Sequence, residues 1–345
     1  MTTRVLVVED SVTVRKRLVE ILAGDPEIEL VGEAPDGKRA IELCQQLRPD
    51  VITMDMMLPV MTGLSATEYI MAHCPTPILI VSASINRGEL FRTYEALAAG
   101  AVDVLEKPLG TEADGAWERN FLSTVKLVAR IRVITHPRGR LSPAHPPPRP
   151  TFEPQRSGRT FELVAIGAST GGPGAIVDVL RALPAAFQLP VLFVLHINEP
   201  FGTAFAEWLD GQTARRVAYA REGDAVAAAA GKVVMAPVGR HMIVRDGRLR
   251  LTDAPERNFC RPSVDVLFES VAVEYGPTAA ACLLTGMGKD GAEGLLKLRR
   301  AGALTIAQDE TSSVVYGMPR EAALLGAAGE ILRLDEIGPR LGALA

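Results

Sequence analysis

The 345-residue chain reads as an α/β protein with two doubly wound parallel-sheet domains joined by a proline-rich linker, and three observations predict this. Short apolar runs alternate with helix-length segments in both halves, the rhythm of parallel strands covered on both faces. Between the halves, THPRGRLSPAHPPPRPTFEPQRSGR (135–159) has almost no apolar residue beyond Leu141 and Phe152, so it cannot bury a core. The length exceeds one typical domain and leaves room for two hydrophobic cores. The expected divisions are a first domain at 1–134, a Pro/Arg-rich linker at 135–159 and a second domain at 160–345.

In the first domain the strand candidates are VLVV (5–8), DVITM (50–54), PILIVS (77–82) and VDVLEK (102–107), with helix-like segments at 12–23 and 37–47. In the second they are LVAIGAS, PVLFVLHI, GKVVMAP, AACLLTGM and ALTIAQ, separated mostly by helix-length segments. HMIVRDGRLRL carries Asp246-Gly247 between two runs and predicts a hairpin instead. A helix is expected to start near Pro173, a residue suited to a first turn.

Composition narrows the function. Net charge is only −4 and no basic block is present, which argues against nucleic acid as a partner. The four cysteines, Cys44, Cys74, Cys260 and Cys282, show no CxxC spacing, so spacing indicates neither a zinc site nor a disulfide framework. The N-terminus lacks a basic region with a cleavage site, and no apolar run approaches the roughly 18 residues of a membrane span. The expectation is a cytoplasmic protein without direct membrane insertion.

In an open parallel sheet, functional side chains gather at the carboxyl ends of strands. Four such ends in the first domain carry Glu9 with Asp10, then Asp55, Ser82 and Lys107. Grouped carboxylates repel unless a cation such as Mg²⁺ sits among them, and a lysine can neutralise an incoming anion. Asp55 then has the chemistry of a nucleophile towards phosphate. Any one of these residues is more simply a cap; four ends in agreement are harder to assign to chance.

IGASTGGPGA (166–175) poses the question of the second domain: a phosphate cradle or a raised serine. GxxxxGK[ST] fails for want of a lysine, and GxGxxG fails because the glycines stand at 167, 171, 172 and 174. Gly167-Ala168-Ser169-Thr170-Gly171 does match GxSxG. A serine needs a base, and the second domain offers His196, at the end of a strand on the same sheet edge, and His241, expected to be structural. Asp290, in the glycine-rich turn of LLTGMGKDG (283–291), can orient the imidazole. A competing set, Ser169 with Asp224 and His241, lacks partners at clear strand ends. The backbone N–H groups of Thr170, Gly171 and Met287 are candidate oxyanion donors. A non-enzymatic output that binds a nucleotide or a partner through the glycine run is the alternative; it leaves His196 and Asp290 without a role.

Residues 1 to about 132 resemble a response-regulator receiver domain through VEDS (8–11), MDMMLP (54–59), VSAS (81–84) and EKP (106–108). The resemblance implies a flavodoxin-like fold, Asp55 as phosphoacceptor, and Glu9, Asp10 and Asp55 as Mg²⁺ ligands. It also implies Ser82 and Lys107 as phosphate-sensing groups and a histidine kinase as phosphodonor. Val104 departs from the aromatic residue that many receivers place three positions before the lysine.

Residues 161 to about 335 resemble the catalytic domain of the chemotaxis protein-glutamate methylesterase (CheB) family. The motifs are GASTGGPGA, RPSVDVLFESVA (261–272), LLTGMGKDGAEGL (283–295) and AQDETSSVVYGMPREA (307–322). This implies a Rossmann-like domain without a cofactor, whose triad falls on Ser169, His196 and Asp290, the three residues already reached. The implied substrates are methyl-esterified glutamates on the cytoplasmic helices of chemoreceptors, with glutamine deamidation as a second activity, and the receiver is expected to restrain the esterase until Asp55 is phosphorylated. His196-Ile197-Asn198-Glu199-Pro200 departs from the family's His-x-Pro, and FGTAFAEWL (201–209) realigns without a gap.

Overall fold

The computed structural model describes residues 2–83, 86–108, 115–131, 133 and 160–344, so the proline-rich stretch expected at 135–159 lies outside the described residues. The chain divides into two compact units, Met1–Pro143 and Ala144–Ala345.

The first unit alternates strand and helix throughout: β1 (Thr3–Val8), α1 (Val12–Ala23), β2 (Ile28–Ala34), α2 (Gly37–Leu47), β3 (Val51–Met54), α3 (Gly63–His73), β4 (Ile78–Ser82), α4 (Arg87–Ala98), β5 (Asp103–Glu106) and α5 (Ala116–Val128). Every β1–β5 neighbour pair is parallel, in the order β2-β1-β3-β4-β5. The helix starts are written locally: Ser11 Oγ accepts from Val14 N–H and Asp36 Oδ1 from Arg39 N–H, supplying acceptors for first-turn donors that have no intrahelical partner. Residues 5–8, 51–54 and 78–82 are all buried, as strands covered on both faces require. The β2 strand was not foreseen, because IELVGEA at the sheet edge is only partly buried and mixes charged with apolar residues.

The second unit contains β6 (Leu163–Ala168), α6 (Gly172–Ala182), β7 (Val191–Leu195), α7 (Phe205–Gln212), β8 (Val217–Tyr219), β9 (Val233–Met235), β10 (His241–Arg245), β11 (Arg248–Thr252), α8 (Val264–Glu274), β12 (Ala279–Leu283), α9 (Ala292–Arg300), β13 (Leu304–Gln308), α10 (Met318–Leu324), β14 (Glu330–Leu332) and α11 (Leu334–Gly342). Seven of these strands form one parallel sheet, ordered β14-β13-β12-β6-β7-β9-β8. The Asp246-Gly247 hairpin is present as β10–β11; its central residues have φ of 52° and 66°, the left-handed conformation a two-residue turn of this kind demands. Leu163, Ala165, Leu192 and Val194 from the central strands pack with Val264, Leu267, Phe268 and Val271 of α8 in the core. That packing presses the N-terminus of α8 towards the carboxyl edge of the sheet. Among the described residues, no helix is long and apolar enough to cross a membrane.

Candidate active site

Three adjacent strands, β12, β6 and β7, end side by side, and the second unit's predicted residues follow those ends. The β6–β7 register places Ala168 opposite Leu195, and His196 N–H donates to Ala168 O at 3.0 Å. Ser169 and His196 each follow directly after that last pair. The serine backbone is fixed from the other side, where Ser169 N–H donates to Thr285 O at 3.0 Å. Thr285 Oγ1 in turn donates to Thr170 O at 3.0 Å and accepts from Val315 N–H at 2.9 Å. Gly171 turns the chain into α6 with φ of 76°, and a Cβ there would lie 2.5 Å from Val314 Cβ. Gly286 is as constrained: its missing Cβ would stand 2.7 Å from Ser169 Cβ.

Asp290 is 2% exposed, and its carboxylate is saturated with donors. Oδ1 accepts from Ser263 Oγ at 2.7 Å, Asn258 Nδ2 at 3.1 Å and Asp265 N–H at 3.3 Å; Oδ2 accepts from Val264 N–H at 2.6 Å and faces His196 Nε2 at 2.9 Å. Two of the donors are first-turn amides of α8, where the helix dipole also favours negative charge. Burial alone pushes the Asp290 carboxyl up, but His196 and the hydroxyl and amide donors outweigh it and hold the group below its ordinary value. An ionised Asp290 makes Nε2 the N–H of a neutral His196 and leaves the lone pair on Nδ1.

Burial lowers the affinity of His196 for a proton, and the contacts with Asp290 and Cys260 raise it more, to a pKa of about 9. Its side chain is 15% exposed. Cys260 Sγ lies 3.7 Å from Nδ1, and among the described residues no hydrogen bond joins Ser169 Oγ to either ring nitrogen. Resting enzymes commonly leave such contacts loose until substrate is bound. The backbone N–H groups of Thr170, Gly171 and Met287 likewise donate to no protein acceptor among the described residues; Thr170 and Met287 are partly exposed and Gly171 is buried.

His241 has no free nitrogen. It is fully buried; Ser263 N–H donates to Nδ1 at 3.1 Å, which leaves Nε2–H to donate to Pro255 O at 3.1 Å. Both nitrogens are committed, and Asp224 lies exposed in a turn, so the competing set with Asp224 and His241 has no geometric support.

The first unit gathers its residues at the same kind of edge. Lys107 Nζ lies 2.9 Å from Asp55 Oδ2 and 2.8 Å from Glu9 Oε2. Glu9 and Asp55 are almost wholly buried, Asp10 is exposed, and one oxygen of each carboxylate falls within 4.8 Å of the others. Burial and the Asp55 charge push Glu9 up to about 7 despite the lysine. Among the described residues Glu9 Oε2 accepts no hydrogen bond, Lys107 Nζ donating to Oε1 at 3.1 Å instead. A buried, under-satisfied oxygen among hard carboxylates fits a divalent cation such as Mg²⁺. Ser82 is buried at the end of β4, where its carbonyl accepts from Lys107 N–H at 3.0 Å, and Val104 is buried in β5.

Family models match both units: "Response regulator receiver domain" over residues 5–113 and "CheB methylesterase" over 164–341, the latter more than half of the chain. The chain belongs to the CheB methylesterase family. It is 44% identical over 334 residues to the protein-glutamate methylesterase/protein-glutamine glutaminase 2 of Anaeromyxobacter dehalogenans, spanning 97% of this chain and 94% of that one. The corresponding enzyme 4 of Myxococcus xanthus is 43% identical over 341 residues, 98% and 96% of the two chains. The CheB methylesterase catalytic domain of Thermotoga maritima superposes with a TM-score of 0.51 and 33% identity, covering 54% of this chain and all of that one. For this CheB-family chain, residue-by-residue reading missed the clamp on Asp290. Ser263 and Asn258 precede it by 27 and 32 positions, and the only local sign of Ser263 is its suitability as the cap of α8.

Proposed function

We propose that the chain is a phosphorylation-activated protein-glutamate methylesterase of the cytoplasm that also deamidates glutamines, acting on chemoreceptor helices. The observation that carries this reading is the Asp290–His196 pair beside Ser169 on three consecutive strand ends. Ser169 Oγ attacks the γ-carbonyl of a glutamyl methyl ester while its proton passes to His196 Nδ1, the nitrogen that Asp290 leaves open. The resulting imidazolium lies between Asp290 and the tetrahedral centre, which lowers the barrier electrostatically. The oxyanion is received by the N–H groups of Thr170, Gly171 and Met287. Collapse breaks the C–OCH₃ bond, methanol leaves with the proton from Nδ1, and water clears the acyl-serine by the same sequence. With glutamine as substrate, ammonia is the leaving group.

In the receiver, residues 1–134, Asp55 takes the phosphoryl group from a histidine kinase. Lys107 pairs with the added charge, and Ser82 stands one strand away to hydrogen-bond a phosphoryl oxygen. Glu9, Asp10 and Asp55 would hold Mg²⁺, which neutralises charge during phosphoryl transfer. A linker over 135–159 separates this unit from the esterase at 160–345. Methanol release from methylated receptor, with and without acetyl phosphate, tests the reading: the wild type turns over and is stimulated. Equal turnover by Ser169→Ala would end it.

A further inference from the structure

The Asp290 contact engages Nε2 of His196, and a thiol faces the other ring nitrogen, Nδ1. Cys260 Sγ is 3.7 Å from Nδ1, both groups are partly exposed, and the pair lies 64 positions apart in sequence. Zinc holds sulfur at about 2.3 Å and imidazole nitrogen at about 2.0 Å, so two such ligands at a tetrahedral angle stand about 3.5 Å apart. The observed separation matches that span with a few tenths of an ångström of adjustment. The far side of the ring has the support that metal-binding histidines usually have: a buried carboxylate on the other nitrogen fixes the ring orientation and raises its basicity. Asp290 itself is not a ligand in this arrangement, since its oxygens already accept from Ser263, Asn258, Val264, Asp265 and His196.

We propose that His196 Nδ1 and Cys260 Sγ form an inhibitory site for Zn²⁺ or a comparably thiophilic divalent cation, with solvent completing the coordination. The bound ion takes the lone pair that Ser169 needs, so the esterase stops while the fold stays intact. Binding displaces the thiol proton and, where His196 is an imidazolium, the proton on Nδ1, both passing to solvent. Mg²⁺ does not compete, because a thiolate and an imidazole are poor partners for a hard cation. The ion that would occupy the receiver's carboxylates therefore leaves this site alone.

The test uses the full-length protein in metal-free buffer. Co²⁺ is the spectroscopic probe, and the expected result is a near-ultraviolet thiolate-to-cobalt charge-transfer band that Cys260→Ser lacks and added Zn²⁺ abolishes. Zn²⁺ should inhibit methanol release reversibly with EDTA, and half-inhibition should need about tenfold more Zn²⁺ or beyond in Cys260→Ser. In the unaltered protein, Zn²⁺ should slow iodoacetamide alkylation of Cys260, read by peptide mass, while saturating Mg²⁺ should not. The absence of the band in the wild type, its persistence in Cys260→Ser, or alkylation at one rate with and without Zn²⁺ would overturn the proposal. The spectral and alkylation readouts are independent of whether the protein is an esterase.

Discussion

The receiver and the esterase each set a nearly buried aspartate at the carboxyl edge of a parallel sheet, yet the two are surrounded by very different sets of partners. Asp290 accepts from five donors and is held ionised below its ordinary range. Asp55 shares one lysine with Glu9, and Glu9 is driven up to about 7 with an oxygen left unsatisfied among the described residues. Topology brings a carboxylate to the rim in both cases; the supply of donors decides its use. A saturated carboxylate can only hold its partner in place, whereas an undersupplied one such as Glu9 keeps an acceptor that suits an added cation.

The sharpest way to break this comparison is at the two proposed nucleophiles, Ser169 and Asp55. Ser169→Ala should lower methanol release on the order of 10⁵-fold or more while receptor binding persists. Asp55→Asn should remove all stimulation by acetyl phosphate and leave Ser169-dependent turnover measurable. If Asp290 orients the ring through its charge, Asp290→Asn should cost on the order of 10³–10⁴-fold in kcat, because the amide can present its N–H to Nε2 and select the wrong tautomer. A loss below tenfold would mean that the saturated carboxylate is only structural.

The pH profile refines the contrast. With the free base of His196 as the proposed proton acceptor, kcat/KM should rise with pH along a limb whose midpoint lies above the ordinary 6.5, towards about 9. Asp290→Asn should move that midpoint down. The sign is reversed for stability: a raised histidine contributes its stabilisation fully below 6.5 and loses it as pH rises through about 9, so thermal stability should fall where activity grows. The smallest effect is expected from Ser263→Ala, which removes one of Asp290's donors and the cap of α8. It should lower unfolding stability by about 0.5–2 kcal/mol, measured by urea titration.

Much of this was readable from local pattern. The segments 12–23 and 37–47 are α1 and α2 to the residue, and Asp246-Gly247 forms its hairpin, because capping and turn chemistry act within a few positions. The short edge strands β8 and β14, three residues each, carry too little periodicity to be seen. The strand ends brought Ser169, His196 and Asp290 to one rim, which the alternation of strand and helix already implied. Which ring nitrogen meets Asp290 depends on a side-chain rotation and on a donor shell from residues 258–265, and no spacing encodes either. Cys260 was invisible for the same reason: its partner is set by packing of the loop before α8 against the end of β7.

The proposed catalysis requires His196, and not His241, to serve Ser169. Methanol release from methylated receptor by His196→Ala and His241→Ala, with folding checked by circular dichroism, tests this directly. His196→Ala should lose turnover on a scale comparable with Ser169→Ala, and His241→Ala should keep most of its rate while melting earlier. A folded His196→Ala protein that still turns over, beside a folded His241→Ala protein that does not, would contradict the arrangement.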